Sequence, residues 1–257
     1  MSVVVICAVA FVASGLTFFS GFGLGTLLLP AFALFFPIEQ SVAMTGLVHF
    51  LNGLLKLGLV GRHAHLPTVM RFGLPAIAAS FLGAMLLIRL DDLSPLLVYE
   101  LFGRTLQITP IKLTIGCLLL VFSAFELSKR LQGTSFSPRY MPLGGLLSGF
   151  FGGLSGMQGA LRSAFLIHAG LTKEGFVGTG AVIAALIDVS RLGVYSTSLA
   201  AEASELNYAL LGGAVTAAFA GAFIGNRILN MVTMVGVQRL VGVLLLLVAV
   251  SLIAGVL

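Results

Sequence analysis

Several charged or ionisable side chains lie inside apolar stretches of this sequence, where each is costly and needs a partner. Arg162 follows Gln158 by four residues, so the two side chains share one face of a helix. The planar guanidinium of Arg162 suits an oxyanion, which makes it the first candidate for recognising a negatively charged ligand. The alternative is that Arg162 lies at a shallow depth and extends its charge to the membrane interface.

A possible ion pair lies further along the chain. Asp188 and Arg191 are three residues apart in one apolar block, so they can pair on one helix face. They form either a structural ion pair or a counter-charge that exchanges a proton. Asn52 and Lys56 occupy the corresponding block of the first half. Asn52 either lines a cavity or bonds a neighbouring helix, and Lys56 is near enough to a block end to reach the interface.

His49 lies in the middle of an apolar block, one helical turn before Gly53. Histidine exchanges a proton near neutral pH, so a proton-carrying role is one interpretation. A hydrogen bond that packs two helices together is the other. With Lys56, Asp188 and Arg191, His49 makes up a candidate set for coupling or gating.

Two glycine-rich breaks interrupt long apolar runs, and their serines are 135 positions apart. Backbone N–H groups at the start of a helix that follows such a break favour an anion, and the serine hydroxyl can cap a helix or donate to a ligand. The alternative is tight helix packing through small residues at four-residue spacing. The two roles are compatible. The breaks comprise Ser20, Gly21, Phe22, Gly23, Leu24 and Gly25, and then Ser155, Gly156, Met157, Gln158 and Gly159.

The composition defines the class of protein. Hydrophobic residues make up 58% of the chain and charged residues 9%, which indicates an all-α polytopic membrane protein with one membrane domain, residues 1–257. The basic residues behind the net charge of +5 are scattered, so no nucleic-acid footprint forms. Cys7 and Cys117 lie in apolar runs, as small core residues do. No metal-ligand spacing, phosphate loop or nucleophile elbow is present, so we expect no metal, no cofactor and no enzyme activity.

The chain divides into eight apolar blocks, four in each half. Glu39 matches Glu174, and Lys56 matches Arg191, both at the offset of the two serines. Segment 81–84 matches segment 219–222 at an offset of 138. These matches predict internal repeats at 3–128 and 141–257. The blocks are Val3–Phe36, Val42–Val60, Val69–Ile88, Ile111–Leu127, Leu143–Leu171, Phe176–Tyr195, Tyr208–Ile228 and Val237–Leu257.

The first block of each half is too long for one crossing. Val3–Phe36 would span roughly 51 Å as a straight helix, against a hydrocarbon core of about 30 Å. A re-entrant or broken helical hairpin that turns at the glycines removes this excess and leaves three transmembrane helices per half. Because three is odd, the two repeats are then inverted. We also predict a short extracytoplasmic hairpin within Leu96–Ile108, with its turn at Phe102-Gly103-Arg104.

The basic residues of the loops support this topology. Eight single crossings divide them 5 against 6, whereas two re-entrant blocks divide them 8 against 3, which the positive-inside rule favours. Both termini then lie outside the cytoplasm. The richer side holds Arg62, Arg71, Lys129, Arg130, Arg139, Lys173, Arg227 and Arg239, and the other side holds Arg89, Arg104 and Lys112.

The first glycine break with Pro30, and the second glycine-rich segment at 149–159, resemble the TauE/SafE family of sulfite exporters. The resemblance implies outward movement of small sulfur-containing anions such as sulfite or organosulfonates, from a multi-pass protein of the inner (plasma) membrane. No ATP-binding motif is present, so an ion gradient, most simply of protons, drives alternating access. The partners are a small anion, the lipid bilayer and protons, and homo-oligomerisation stays open. A permease for another small organic anion, an anion channel and a membrane scaffold are the alternatives.

Overall fold

The computed structural model describes residues 2–17, 24–101, 103–128, 135–201, 207–228 and 234–257. Within these ranges the chain forms ten α-helices and one two-stranded antiparallel hairpin. The helices are α1 (Ser2–Thr17), α2 (Leu24–Ala33), α3 (Ile38–Val60), α4 (Leu66–Asp91), α5 (Pro110–Leu127), α6 (Met141–Ser155), α7 (Gly159–Leu166), α8 (Lys173–Ala201), α9 (Tyr208–Ile228) and α10 (Met234–Ile253).

Four helical segments of the described chain are long and apolar enough to cross a membrane. They are Ile38–His63, Leu66–Asp91, Pro110–Leu127 and Lys173–Ser196, which correspond to α3 with a short 3-10 turn, α4, α5 and α8. The helices α1, α2, α9 and α10 are apolar but contribute shorter stretches. This architecture confirms the prediction of an all-α polytopic membrane protein.

The strands β1 (Leu97–Leu101) and β2 (Arg104–Ile108) pair antiparallel between α4 and α5. Gly103 closes the turn with a φ of 71°, a left-handed conformation that favours glycine. The predicted hairpin within Leu96–Ile108 is therefore present, although Phe102 of its predicted turn lies outside the described residues. The Tyr99 hydroxyl donates to Ala254 O at 2.5 Å, which fixes the hairpin to the end of α10.

The most extensive helix contact among the described residues joins α4 to α6. Three glycines of α6, spaced by four residues, lie along the backbone of α4, and a β-carbon added at any of them would lie only 2.0–2.2 Å from a carbonyl oxygen of α4. Small residues at this spacing allow such close approach between membrane helices. The pairs are Gly145 with Phe72, Gly149 with Ala76 and Gly153 with Ser80.

A similar contact joins α1 to α9. A β-carbon at Gly221 of α9 would lie 2.0 Å from Phe11 O of α1, and one at Gly83 of α4 would lie 2.2 Å from Phe150 O of α6. Gly83 and Gly221 belong to the two segments that match at an offset of 138 in the sequence. Helix α3 packs on α8, and α5 packs on α10. The α4–α6, α1–α9, α3–α8 and α5–α10 contacts each join a helix of the first half to one of the second.

The helix that follows the first glycine break is enclosed by the rest of the protein. Every residue of α2, from Leu24 to Ala33, is buried, and its contacts include α1, α3 and α10. Residues 152–159, which contain the second break, are also buried. Irregular backbone at membrane depth is tolerated only where it is buried in protein or lines a cavity, and the described parts of both breaks meet this condition.

Candidate functional site

The second glycine break is a sharp turn between two helices. Helix α6 ends at Ser155, and Gly156 follows in the left-handed conformation with a φ of 80°. Its N–H donates to Gly152 O at 2.9 Å, and α7 begins three residues later at Gly159. The Ser155 hydroxyl donates to Phe151 O within α6, so it neither caps α7 nor points to a ligand.

The chain doubles back at this turn. Phe136, just before α6, donates its N–H to Ala164 O at the end of α7, at 3.1 Å. The ring of Phe136 stacks on that of Phe165 with centroids 4.4 Å apart, and Ser135 Oγ lies 2.7 Å from His168 Nε2. The end of α7 therefore lies beside the start of α6, which is the hairpin shape expected for this block.

The two glycine breaks come together in the structure. A β-carbon at Gly25 of α2 would lie 3.0 Å from Gly156 O, so only a residue without a side chain fits there comfortably. Gly25 is the last residue of the first break, and Gly156 is the second residue of the second break. Of the remaining first-break residues, Ser20, Gly21, Phe22 and Gly23 lie outside the described residues.

A buried network of charged side chains adjoins these breaks, and Asp188 is its centre. His49 Nδ1 of α3 lies 2.6 Å from Asp188 Oδ2. On the other carboxylate oxygen, Oδ1, Arg191 Nε donates at 2.9 Å and Gln158 Nε2 donates at 3.1 Å. Asp188 and Arg191 are completely buried, so this carboxylate is solvated entirely by protein groups. The predicted Asp188–Arg191 pair is present, and His49 joins it from another helix.

Gln158 links this centre to Arg162. Arg162 Nη1 donates to Gln158 Oε1 at 3.0 Å, and the backbone carbonyl of Gln158 accepts from the Ser148 hydroxyl at 3.0 Å. Arg162 is only 8% exposed, so its charge lies inside the protein. Gln158 is the residue before the first turn of α7, yet its side chain points into the network instead of capping the helix.

The other two predicted residues lie at the edge of the network. Asn52 is buried and accepts a hydrogen bond from the Ser14 hydroxyl of α1 at 3.2 Å, so it joins two helices. Lys56 is half-buried, one turn further along α3, and its ammonium is repelled by the positive charge of Arg162. Asn52 therefore has a packing contact, while Lys56 adds positive charge near the network.

Thr45, Gly46 and Tyr195 also lie at this site, although the sequence predicted no binding role for any of them. Thr45 is fully buried, and its hydroxyl has no hydrogen-bond partner among the described residues. A β-carbon at Gly46 would lie 3.3 Å from Arg191 Cζ. The Tyr195 hydroxyl donates to Gly153 O and interacts electrostatically with Arg191. A small polar residue beside a glycine inside an apolar block was the available signal for Thr45.

The described side chains contain no cluster suited to a metal. Within those ranges, no group of three or more His, Cys, Asp or Glu side chains is placed to hold an ion. His49 and Asp188 form the centre of the network, and each is bonded to the other. The chemistry that this arrangement supports is charge recognition and proton exchange.

The fold and this site define an α-helical polytopic membrane protein with a buried charged centre where two broken helices meet. The chain matches the family described as Sulfite exporter TauE/SafE over residues 6–252 of 257. It therefore belongs to the TauE/SafE sulfite exporter family, a family of membrane transporters, as its glycine-rich segments predicted. No single curated protein matches the chain.

Gly156 is the residue whose substitution tests the turn most directly. Gly156→Ala combines the left-handed φ of 80° with a β-carbon 2.8 Å from Arg191 Nη1. We expect it to lower the free energy of unfolding by about 2–3 kcal/mol, measured by thermal or denaturant unfolding in detergent.

Gly170→Ala is the matched control for this substitution. Its φ of 69° gives a similar backbone cost, but nothing lies within 4 Å of the added β-carbon. We expect a loss of about 1 kcal/mol there. Equal losses in the two variants would show that the close approach of the added β-carbon to Arg191 contributes nothing to the loss of stability in Gly156→Ala.

Proposed function

We propose that this protein is a secondary transporter that exports small sulfur-containing anions, such as sulfite or organosulfonates, across the inner (plasma) membrane. The observation that carries the proposal is the charge of the buried network where the two glycine breaks meet. Arg162 and Arg191 contribute two positive charges and Asp188 one negative charge, so the hydrogen-bonded set is +1 with neutral His49. An unbalanced charge at membrane depth is costly, and one bound anion would neutralise it.

The position of the network supports an anion site. Gly25 lies one residue into α2, and Gly159 opens α7, so both helices begin at the place where the breaks meet. The N-terminal ends of helices carry partial positive charge and free N–H groups, which favour an anion. Lys56 adds further positive charge on the side of Arg162. In this proposal Gln158, Gly156 and Gly159 contribute to the substrate site, with Arg162, Ser155, Asn52 and the first break around it.

The coupling ion in this proposal is the proton. His49 Nδ1 and Asp188 Oδ2 are 2.6 Å apart on different helices, and the same carboxylate holds Arg191. A proton gained by this pair changes the charge that Arg191 faces, so protonation and anion binding affect each other through one carboxylate. A buried ion pair of this kind contributes little net stability, which favours a functional reason for retaining it here.

Alternating access follows if the two halves are inverted repeats, as the sequence offset suggests. Gly83 of the first half approaches Phe150 of the second, and Gly221 of the second half approaches Phe11 of the first. Exchanging the two halves converts one contact into the other, in agreement with a pseudo-two-fold relation. The α3–α8 and α5–α10 contacts each join corresponding helices of the two halves. In transporters of this kind, one half moves against the other around a site at their interface.

The test is anion transport by purified protein in proteoliposomes. We expect radiolabelled sulfite to accumulate above its equilibrium level when a pH gradient is imposed, and a protonophore to abolish the accumulation. Downhill flux that no gradient can drive uphill would instead show an anion channel. Preferential transport of carboxylates would identify a permease for another organic anion. Flux equal to that of empty liposomes for sulfite, sulfonates, sulfate, thiosulfate and carboxylates would refute the proposal.

A further inference from the structure

One side of the Arg191 guanidinium is bonded, and the other side, called here the free side, has no hydrogen-bond partner among the described residues. Nε donates to Asp188 Oδ1 at 2.9 Å, and Nη2 lies 2.8 Å from the same oxygen as an ion-pair contact without hydrogen-bond geometry. Nη1 and Nη2 donate to no acceptor among the described residues, although the side chain is completely buried. Buried guanidinium donors are normally satisfied, so the free side calls for an explanation.

The free side faces the meeting point of the two breaks. A β-carbon at Gly156 would lie 2.8 Å from Arg191 Nη1, and one at Gly46 would lie 3.4 Å from the same nitrogen. A β-carbon at Gly25 would lie 3.0 Å from Gly156 O and 3.5 Å from Thr45 Cγ2. Gly46 of α3 and Gly156 of the second break therefore adjoin Nη1, and Gly25 and Thr45 lie next to Gly156.

Thr45 supplies a second free donor at the same place. It precedes Gly46 on α3 and is completely buried, and its hydroxyl is without a hydrogen-bond partner in the described part of the chain. Thr45 and Arg191 thus bring donors that lack a described partner to neighbouring positions beside Gly25, Gly46 and Gly156. The Tyr195 hydroxyl donates to Gly153 O and lies beside the same guanidinium, without the geometry of a hydrogen bond to it.

We infer that Arg191 Nη1 and the Thr45 hydroxyl together bind one oxygen of the substrate anion at the contact between Gly25 and Gly156. This inference rests on the proposed function and gives its site a specific contact. The ligand is a small oxyanion group of the sulfite or sulfonate type, whose oxygens accept from both donors without a bulky substituent near the glycines. Charge-assisted bonds of an arginine to an oxyanion are strong, and the hydroxyl adds direction.

This inference gives Arg162 a role other than the direct recognition of the anion that the sequence predicted. Its Nη1 donates to Gln158 Oε1, and Gln158 Nε2 in turn donates to Asp188. Arg162 therefore acts as a positioning residue that holds Gln158 and, through it, the carboxylate. Lys56, His49, Asp188 and Tyr195 are the other charged or titratable groups around this network, and the charge of Glu39 also acts on Tyr195.

The experiment measures binding of sulfite and, separately, of methanesulfonate to the purified full chain by calorimetry. Thr45→Val removes the hydroxyl and keeps the shape, so we expect the Kd to rise about tenfold for both probes. The thermal stability of the ligand-free protein should not fall, because this hydroxyl makes no bond to any described residue. Thr45→Ser keeps a hydroxyl and should restore binding to within a few-fold of wild type.

Thr179→Val is the matched control. Thr179 is also a completely buried threonine, but its hydroxyl accepts from His65 N, away from the breaks, so the Kd should not change. Arg191→Lys keeps a positive charge opposite Asp188 but loses the fork, and we expect its Kd to rise by more than about tenfold.

The outcomes separate this inference from the proposed function. If wild type binds the probes and Thr45→Val binds them equally well, the inference is overturned while the transporter proposal stands. Loss of binding in Arg162→Gln with unchanged binding in Thr45→Val would show that Arg162 contacts the substrate and that Thr45 does not. If wild type binds neither probe nor any other small anion, the proposed function fails and this inference with it. Should Arg191→Lys fail to fold, the comparison of Thr45→Val with Thr179→Val decides alone.

Discussion

Asp188→Ala is expected to lower the free energy of unfolding by about 3–5 kcal/mol and to abolish anion transport. The substitution removes the carboxylate to which Arg191 Nε donates, and both residues are completely buried. It also removes the acceptor of Gln158 Nε2 and the partner of His49. A buried charge without its counter-charge is among the costliest defects that a single substitution makes. Unfolding in detergent and flux in proteoliposomes measure the two effects.

A double variant separates stability from function. Asp188→Leu combined with Arg191→Leu removes both charges, and apolar side chains often replace a buried ion pair at no net cost. We expect this variant to recover most of the lost stability and to remain inactive. Recovery of transport as well would show that the pair is only structural.

Asp92→Ala is the control for the single substitution. Asp92 is an exposed aspartate at the C-terminal end of α4, so the same change there should alter the free energy of unfolding by less than about 0.5 kcal/mol. Similar losses at Asp92 and Asp188 would contradict the view that burial of the pair makes Asp188 costly to remove.

Gly149→Ala is expected to destabilise the protein by about 3 kcal/mol or more, the second large effect. Its β-carbon would lie 2.2 Å from Ala76 O and 2.6 Å from Ala76 Cα. Both are backbone atoms, so no side-chain rotation can relieve the contact and α4 must move away from α6. Because Gly145 and Gly153 meet α4 in the same way, that movement would disturb the whole helix pair. The yield of folded protein and its unfolding midpoint in detergent measure the effect.

Gly193→Ala is the control for this prediction. Gly193 lies inside α8, and nothing is within 4 Å of a β-carbon added there. Alanine is favoured over glycine in a helix by about 1 kcal/mol, so the variant should be as stable as wild type or more so. A loss at Gly193 equal to that at Gly149 would contradict the steric explanation.

Much of the fold could be predicted from local features of the sequence. The apolar blocks became helices, the glycines at 156 and 159 ended one helix and began the next, and the turn at Gly103 closed a β-hairpin. Each of these features depends on residues close together in the chain. The register of the α4–α6 contact could not be predicted in the same way, because it depends on which glycines of a glycine-rich helix face the neighbour.

The candidate site could likewise be predicted only where its residues are close together in the chain. The three-residue spacing of Asp188 and Arg191 predicted their pairing, and the four-residue spacing of Gln158 and Arg162 predicted a shared helix face, on which the two side chains form a hydrogen bond. His49 was a candidate without a partner, because Asp188 is 139 positions away and nothing local connects them. Thr45 was overlooked, since its importance lies in a hydroxyl with no described partner beside a guanidinium from another helix.

The sequence by itself determined the class of protein, the helical segments, the two breaks and the ionisable residues buried within them. Only the tertiary structure decided that the breaks meet at Gly25 and Gly156, that His49 reaches Asp188, and that two nitrogens of Arg191 lack a partner among the described residues. The physical reason is that these helices are apolar on most faces. Hydrophobic periodicity then cannot say which face points inward or at what depth two helices cross. Close glycine contacts and buried polar bonds fix that rotation and depth, and they form only when the helices pack.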